Sequence, residues 1–301
     1  MKGIKLFFLH LMLEIGRKKV RKRPPWQGKR FFVPRDNQKQ VEVFLHMPAK
    51  KNDGALPVMF NIHGGAWVGG DATVLDEQSQ KMADLLHCFV VNINYTKVDA
   101  KPFPNPQHEV AETVLYFADH AEEYGLDKER FNLIGYSAGG HICAGAAMLL
   151  RDRGFRLCSH VMVYPFLDFH LFDKSGGMPG MDDKTINLMN TVFFRGNINR
   201  YSALLSPGCA ERSELTGLPP AELILCGPDA LYQQGLDYEA HLREAGVPAK
   251  LKVFELSTHG FAETDYNREL TDEEQIQKAE CDKFFLYLKE RMWSLWRWEE
   301  K

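Results

Sequence analysis

The 301-residue sequence lacks the charge imbalance and the long apolar runs that mark several functional classes. Lys and Arg number 37 against 40 Asp and Glu, so there is no domain-wide basic excess and we expect no nucleic-acid partner. The apolar stretch over residues 6–13 is interrupted by His10 and is too short to span a bilayer, so we expect no stable membrane insertion. It also lacks a small-residue cleavage site, which argues against a secretory signal.

Cysteine pairs, metal-binding spacings and dinucleotide motifs are missing as well. The six cysteines are widely spaced: Cys88, Cys143, Cys158, Cys209, Cys226 and Cys281. Several fall in apolar segments, which is typical of buried free thiols in a reducing compartment, and we therefore expect a cytoplasmic protein. No Cys/His spacing is typical of zinc and no G-x-G-x-x-G follows a predicted strand, so the sequence predicts neither a metal nor a cofactor.

What the sequence does contain is an alternation of apolar strands and helices, with 45% hydrophobic residues available for a core. Strands are predicted over residues 30–33, 41–47, 58–62, 88–95, 131–135, 157–164, 222–226 and 249–256. Helices are predicted over residues 107–124, 138–151, 231–245 and 272–298. This alternation predicts an α/β protein in which a mostly parallel sheet is covered by helices on both faces.

The clearest chemical signal is Gly135-Tyr136-Ser137-Ala138-Gly139, which lies between a predicted strand and a predicted small-residue helix. A G-x-S-x-G segment places its serine on a sharp strand-to-helix turn, where glycine leaves room for close approach. The helix N-terminus behind Ser137 favours an alkoxide or an oxyanion. On its own the segment is also compatible with a tightly packed structural turn, so the assignment of Ser137 as the nucleophile depends on its partner residues.

A second glycine-rich segment, His63-Gly64-Gly65-Ala66, directly follows another predicted apolar strand. A loop of this composition can turn consecutive amide groups toward one point and so form an oxyanion hole. We predict the backbone N–H groups of Gly65, Ala66 and Ala138 as the donors, and His63 as a brace of the loop rather than a catalytic base. The alternative is a glycine loop that merely closes the strand.

The histidine and the carboxylate that such a site needs also follow predicted strands. Asp229 comes after the strand at 222–226, and His259 comes after the strand at 249–256. Open α/β sheets place their sites at these strand ends, and Ser, Asp, His is the chain order of α/β-hydrolase triads. We therefore predict His259 as the general base of Ser137 and Asp229 as the carboxylate that orients it. Taken alone, Asp229 could be only a helix N-cap.

Together these motifs resemble the hormone-sensitive-lipase-like family of α/β-hydrolase carboxylesterases, which carry H-G-G-G, G-D-S-A-G-G and D-P-L-x-D-E-G before H-G-F. The resemblance covers about residues 40–288 and includes L-P-P-A at residues 218–221. It departs from the family pattern at Ala66, Tyr136, residues 232–234 and residues 96–101. The resemblance implies an α/β-hydrolase fold with a helical lid or cap, and hydrolysis of short- to medium-chain carboxylic esters through an acyl-enzyme.

The resemblance and the chain pattern suggest how the sequence is organised. We expect residues 1–40 to form an N-terminal segment that is part of the cap, and residues 41–301 to form the hydrolase domain with a lid insertion at about 169–205. The basic run at residues 17–23 is expected to be solvated at the end of a cap helix over the active-site mouth; a membrane-surface helix is the alternative.

The sequence does not determine the roles of two groups of large apolar side chains. The first group could line an acyl pocket or form the insertion's own small core: Phe166, Phe169, Phe172, Met178, Met181, Phe193 and Phe194. The second group, near the C-terminus, could pack internally or contact another copy: Trp293, Trp296 and Trp298. A homo-oligomer is therefore possible.

The predicted partner of the site is a small-molecule ester. An amidase such as an aryl-formamide hydrolase would use the same residues on a different bond. A non-catalytic receptor on the same fold is the alternative from another class, and the presence of a complete set of Ser, His and Asp argues against it.

Overall fold

The computed structural model describes residues 2–36, 38–50, 54–173, 182–195 and 198–297. Eight strands form one sheet in the order β1-β2-β4-β3-β5-β6-β7-β8. Their bounds are β1 Lys29–Val33, β2 Val41–His46, β3 Leu56–Ile62, β4 Phe89–Asn94, β5 Leu126–Tyr136, β6 Ser159–Val163, β7 Ala221–Cys226 and β8 Ala249–Phe254. The six strands β4, β3, β5, β6, β7 and β8 are neighbours in that order, and each neighbouring pair among them is parallel. Strand β2 pairs antiparallel with both β1 and β4.

The described helices cover both faces of the sheet. Their bounds are α1 Lys2–Val20, α2 Asp76–Leu86, α3 Asn105–Asp119, α4 Ala121–Tyr124, α5 Ala138–Asp152, α6 Asp183–Phe193, α7 Arg212–Leu215, α8 Tyr232–Glu244 and α9 Asp272–Trp296. Apolar residues of α3, α5 and α8 share one core with one face of the sheet, and those of α2 and α9 share a second core with the other face. Within β3, Phe60 belongs to the first core and Met59 to the second, as the alternation of side chains along a strand requires.

The α/β-hydrolase architecture expected from the sequence is therefore present, and each predicted strand is found. The sequence did not indicate α2, which connects the parallel strands β3 and β4. Parallel neighbours require a crossover connection, which is usually a helix. The segment D-E-Q-S-Q-K-M-A-D-L-L carries few apolar residues because only one side of α2 is covered, and this weakens its periodic signal.

The N-terminal helix α1 is attached to the sheet domain by ion pairs rather than being simply solvated at its basic end. His10 Nδ1 lies 2.5 Å from Asp99 Oδ2, and Arg17 Nη1 lies 3.0 Å from Asp99 Oδ1. Arg21 pairs with Glu42 at 2.7 Å. Residues 29–33, which fall within the predicted cap segment 1–40, pair with β2 and so lie in the sheet.

None of the helices in the described part of the chain combines the length and the apolar character needed to cross a bilayer. Near the C-terminus, Trp296 is buried in the second core, and Trp293 Nε1 donates to the carbonyl of Leu86 at 3.2 Å. These two tryptophans therefore pack internally; Trp298 lies outside the described residues.

The predicted lid segment, residues 169–205, contains a 3-10 helix at Phe169–Asp173 and the helix α6, and its described residues pack over the loop after β3. Trp67 from that loop contacts Phe169 and Phe193 of the segment, with ring centroids 5.2 and 5.3 Å apart. Arg195 donates to the carbonyls of Val98 and Asp99. The segment is thus anchored close to the candidate site, and its assignment as a lid stays a prediction.

Candidate active site

Ser137 lies on a strained turn between β5 and α5. Its backbone dihedrals are φ 52° and ψ −116°, which a non-glycine residue rarely adopts outside a functional site. The two glycines that flank it are required by close packing: a Cβ on Gly135 would lie 2.1 Å from the carbonyl oxygen of Gly139, and a Cβ on Gly139 would lie 2.1 Å from that of Ile62. The G-x-S-x-G pattern thus allows the turn that presents the Ser137 hydroxyl at the end of the sheet.

The structure brings the three predicted triad side chains together although they are far apart in sequence. His259 Nε2 lies 2.9 Å from Ser137 Oγ, and His259 Nδ1 lies 2.8 Å from Asp229 Oδ2. A carboxylate oxygen accepts, so His259 donates from Nδ1 to Asp229 and its Nε2 is left to accept the serine proton. The Asp229 side chain is 4% exposed and that of His259 is 41% exposed, so the imidazole lies at the open side of the site.

The glycine-rich loop after β3 adopts a backbone conformation in which amide groups can converge. Gly65, Ala66 and Trp67 all have positive φ, at 111°, 49° and 62°. Gly65 and Ala66 line the same cavity as Ser137 and Ala138. Ala138 is the first residue of α5, so its N–H has no acceptor within the helix and is available to a ligand. The three predicted donors therefore border the space in front of Ser137 Oγ.

His63 lies behind this loop and does not contact Ser137. It is buried, stacks on Tyr95 and lies between two groups: its Nδ1 is 2.6 Å from the carbonyl of Gly64, and its Nε2 is 2.9 Å from Lys97 Nζ. Because the Gly64 carbonyl can only accept, His63 donates from Nδ1, and its Nε2 is left to accept from Lys97. Burial, together with the nearby Lys97 charge, holds the pKa of His63 well below its ordinary value, so it is neutral. This arrangement fits the predicted role of a brace.

Lys97 supports the brace from a buried position that the sequence did not indicate. It donates to the carbonyl of Tyr95 at 2.8 Å and lies over the Tyr95 ring, 4.0 Å from its centroid. Burial lowers the pKa of Lys97 to about 7. Lys97 falls in residues 96–101, where the sequence departs from the family pattern, and only the fold brings it under the glycine-rich loop.

Glu263 is a further carboxylate in the site that sequence reasoning missed. Its Oε1 accepts a hydrogen bond from the Gly64 amide at 2.7 Å, and the Tyr164 hydroxyl lies 3.4 Å from its Oε2. Burial raises the pKa of Glu263 to about 7, although the Gly64 hydrogen bond and the nearby His259 favour its charged form. Its position four residues after His259 is the only sequence signal that could have drawn attention to it.

Trp67 connects the glycine-rich loop to the core through a buried histidine. Its Nε1 donates to His141 Nδ1 at 3.0 Å, and His141 Nε2 donates to the carbonyl of Leu205 at 2.8 Å. Burial lowers the pKa of His141 to about 4, so the ring stays neutral in the tautomer that this chain of hydrogen bonds requires. The loop, α5 and the end of the predicted lid segment are therefore joined by a single imidazole.

A cavity of about 490 Å³ opens in front of the triad. It is lined by the triad side chains, the two loop residues Gly65 and Ala66, Glu263 and a set of mostly apolar neighbours: Trp67, Ala138, Phe166, Phe172, Met189, Pro228, Ala230 and Leu231. Of the aromatic residues considered for an acyl pocket, Phe166 and Phe172 line it, whereas Phe169, Phe193 and Phe194 pack against Trp67 and Phe103. Met178 and Met181 lie outside the described residues.

Comparison with known proteins agrees with the observed fold. A family model described as alpha/beta hydrolase fold matches residues 59–263, which is more than half of the chain. An arylesterase of Saccharolobus solfataricus is 28% identical over 214 residues, which cover 69% of each chain. An arylacetamide deacetylase of Oryctolagus cuniculus is 25% identical over an alignment that covers 79% of this chain and 76% of the relative.

Among solved structures, a hyperthermophilic esterase from the archaeon Pyrobaculum calidifontis has the same fold. The two structures superpose with a TM-score of 0.75 over 97% of this chain and 92% of the esterase, at 21% sequence identity. The similarity spans nearly the whole of both chains, so the two proteins share one fold.

Proposed function

The chain belongs to the α/β-hydrolase fold family, in its hormone-sensitive-lipase-like group, and we propose that it is a serine hydrolase that cleaves carboxylic esters. The observation that carries this proposal is the pair of contacts that joins Ser137 Oγ, His259 and Asp229 at one end of the sheet, facing a cavity. Acyl transfer by a serine hydrolase requires a nucleophile within hydrogen-bond reach of a base, and a third group that orients the base.

In the proposed reaction, His259 Nε2 takes the proton of Ser137 Oγ as the oxygen attacks the ester carbonyl carbon. The amides of Gly65, Ala66 and Ala138 stabilise the oxyanion, each donor being worth about a hundred- to a thousandfold in rate in enzymes of this type. His259 then returns the proton to the leaving alcohol. A water molecule, deprotonated by His259, attacks the acyl-enzyme and releases the acid. Asp229 keeps the imidazole in the required tautomer.

The preferred acyl group is proposed to be short to medium in length. The apolar wall formed by Phe166, Phe172, Met189 and Leu231 suits an alkyl or aryl group. A volume of about 490 Å³ falls in the range of sites that enclose a small ligand rather than a long chain. We expect kcat/KM for p-nitrophenyl esters to be highest between butyrate and octanoate and to fall steeply for palmitate. A maximum at palmitate would contradict the proposed length.

The proposed nucleophile is tested by replacing Ser137 with Ala and measuring hydrolysis of p-nitrophenyl butyrate. Loss of the nucleophile removes roughly a millionfold in turnover in a Ser-His-Asp protease of another fold, so activity should fall to background. Ser206→Ala is the matched control, because Ser206 is a buried serine hydrogen-bonded to the Arg200 carbonyl and lies outside the triad. Wild-type activity in Ser137→Ala would contradict the proposal.

Amide hydrolysis is the second candidate. It is supported by one relative whose name refers to an arylacetamide, and the same nucleophile, base and oxyanion donors would serve it. The two candidates are separated by comparing kcat/KM for a short acyl ester with that for the matched acyl anilide and a formyl anilide. Faster hydrolysis of either anilide would replace the ester proposal.

A cytoplasmic location also stays a proposal. It is supported by the six cysteines, each of which is unpaired.

A further inference from the structure

Three side chains of types that can bind a metal ion lie close together outside the triad, at the two ends of the predicted lid segment. His170 Nδ1 is 2.8 Å from Asp168 Oδ1 and 3.3 Å from Cys209 Sγ. The three ligand atoms all lie within 4.8 Å of one another. The proposed catalytic mechanism does not involve any of these three side chains.

The spacing of these atoms is close to that of a tetrahedral zinc site. Zinc bonds of about 2.3 Å to sulfur and about 2.0 Å to nitrogen or oxygen place S and N about 3.5 Å apart, and N and O about 3.3 Å apart. The observed separations of 3.3 and 2.8 Å differ from these values by about half an ångström or less. Small rotations of exposed side chains would therefore admit the ion.

The surroundings orient the histidine and leave the site open on one side. The His170 ring stacks on Tyr201, with centroids 4.2 Å apart and planes 22° apart. The nearby cation, Arg200, is paired with Asp173 and so does not oppose a metal. His170 and Cys209 are exposed and Asp168 is partly buried, so a water molecule can complete the coordination.

We propose that Asp168, His170 and Cys209 form a zinc site that fastens the two ends of the predicted lid segment to each other. Asp168 and His170 precede the segment's described helix α6, and Cys209 follows the segment in a second 3-10 helix at Pro207–Cys209. When the zinc–sulfur bond forms, the Cys209 thiol proton leaves to solvent. The His170 ring proton moves to Nε2 through solvent, so that Nδ1 can bind the metal.

A metal ion bound here would close a loop of about 40 residues. Such a cross-link reduces the conformational freedom that the loop has when its ends are not joined. Within the segment, Phe193 contacts Trp67 and Arg195 donates to the carbonyl of Asp99, so fastening the segment holds one wall of the cavity. The sequence contained no zinc-like spacing, because two ligands lie two residues apart and the third lies 39 residues further along the chain.

Metal binding is tested on the full-length, reduced and metal-free chain by titration with Co²⁺. We expect one equivalent to bind with a thiolate-to-cobalt absorption band in the near ultraviolet, and Zn²⁺ to displace it. Cys209→Ser should lose the band, and His170→Ala should weaken binding by about tenfold or more. Cys158→Ser should keep the band, because Cys158 precedes β6 at the end opposite to Asp168. Circular dichroism checks that each variant is folded.

The fastening is tested by limited trypsin digestion, with cleavage after the exposed Lys184 as the readout. Zinc should slow this cleavage several-fold in the wild-type chain and leave it unchanged in Cys209→Ser. Absence of a cobalt band in the wild type, or a band that persists in Cys209→Ser, would overturn the site. Cobalt binding without slower cleavage would overturn its role in fastening the segment.

Discussion

Replacement of Glu263 by Gln tests whether a carboxyl group beside the glycine-rich loop is held mostly protonated below neutral pH. Glu263 accepts from the Gly64 amide at 2.7 Å and lines the cavity. Gln has nearly the same shape and keeps an oxygen that can accept from Gly64, but it carries no charge at any pH. The substitution therefore removes the ionisation while it retains the hydrogen bond.

The expected effect follows from the pKa of this group. Burial raises the pKa of Glu263 from 4.5 to about 7 in the folded chain. Between these values the folded state binds the proton that the unfolded state has released, so the free energy of unfolding falls as pH rises. At 1.36 kcal/mol for each pH unit, the total loss in the free energy of unfolding is about 3 kcal/mol and is complete above pH 7. Most of this loss, about 2–3 kcal/mol, falls between pH 5 and pH 8.

The assay is urea denaturation of the wild type and of Glu263→Gln at pH 5, 6, 7 and 8. The variant should gain stability relative to the wild type by about 2–3 kcal/mol across this interval, because it lacks the ionisation that the wild type undergoes. Glu269→Gln is the matched control, since Glu269 is an exposed carboxylate on the same loop and its replacement removes the same charge. A difference between wild type and Glu263→Gln that stays constant with pH would refute the reasoning.

Three further substitutions test the geometry of the site. Asp229→Asn should lower kcat on p-nitrophenyl butyrate by about ten-thousandfold while the chain stays folded, and a loss below tenfold would contradict its orienting role. Gly139→Ala places a Cβ 2.1 Å from a backbone carbonyl oxygen, and thermal unfolding should show a destabilisation of about 3 kcal/mol or more. Gly16→Ala is the control: its Cβ would meet nothing within 4 Å, so it should not destabilise the fold. Trp67→Phe leaves the buried His141 Nδ1 without its donor and should cost about 1–3 kcal/mol in urea denaturation, whereas unchanged stability would contradict this contact.

The parts of the fold that the sequence predicts well are those in which a local steric rule governs the residues. The buried strand β3 reads as a continuous apolar run because both of its faces are covered. Gly135 marks the turn at the end of β5 because no side chain fits against the carbonyl of Gly139, four residues further along the chain. Such requirements lie in a few consecutive residues, so they can be recognised without knowledge of the rest of the chain.

The contacts that the sequence did not reveal connect residues that are distant in the chain and ordinary in their surroundings. Lys97 contacts His63 across 34 residues, and Glu263 contacts Gly64 across 199 residues. No local pattern distinguishes either from a solvated surface charge. The basic residue Arg17 likewise resembles part of a solvated run, although it binds the buried Asp99 across 82 residues.

The central claim is that the Ser137 hydroxyl is activated by His259, and covalent labelling measures this most directly. The full-length chain is treated with a fluorophosphonate probe, and the adduct is located by mass spectrometry after digestion. We predict a single phosphonylated residue, Ser137, in the wild type, and labelling at least a hundredfold slower in His259→Ala. An unlabelled wild-type chain, or equal labelling rates in the two proteins, would contradict the account and favour a non-catalytic receptor on this fold.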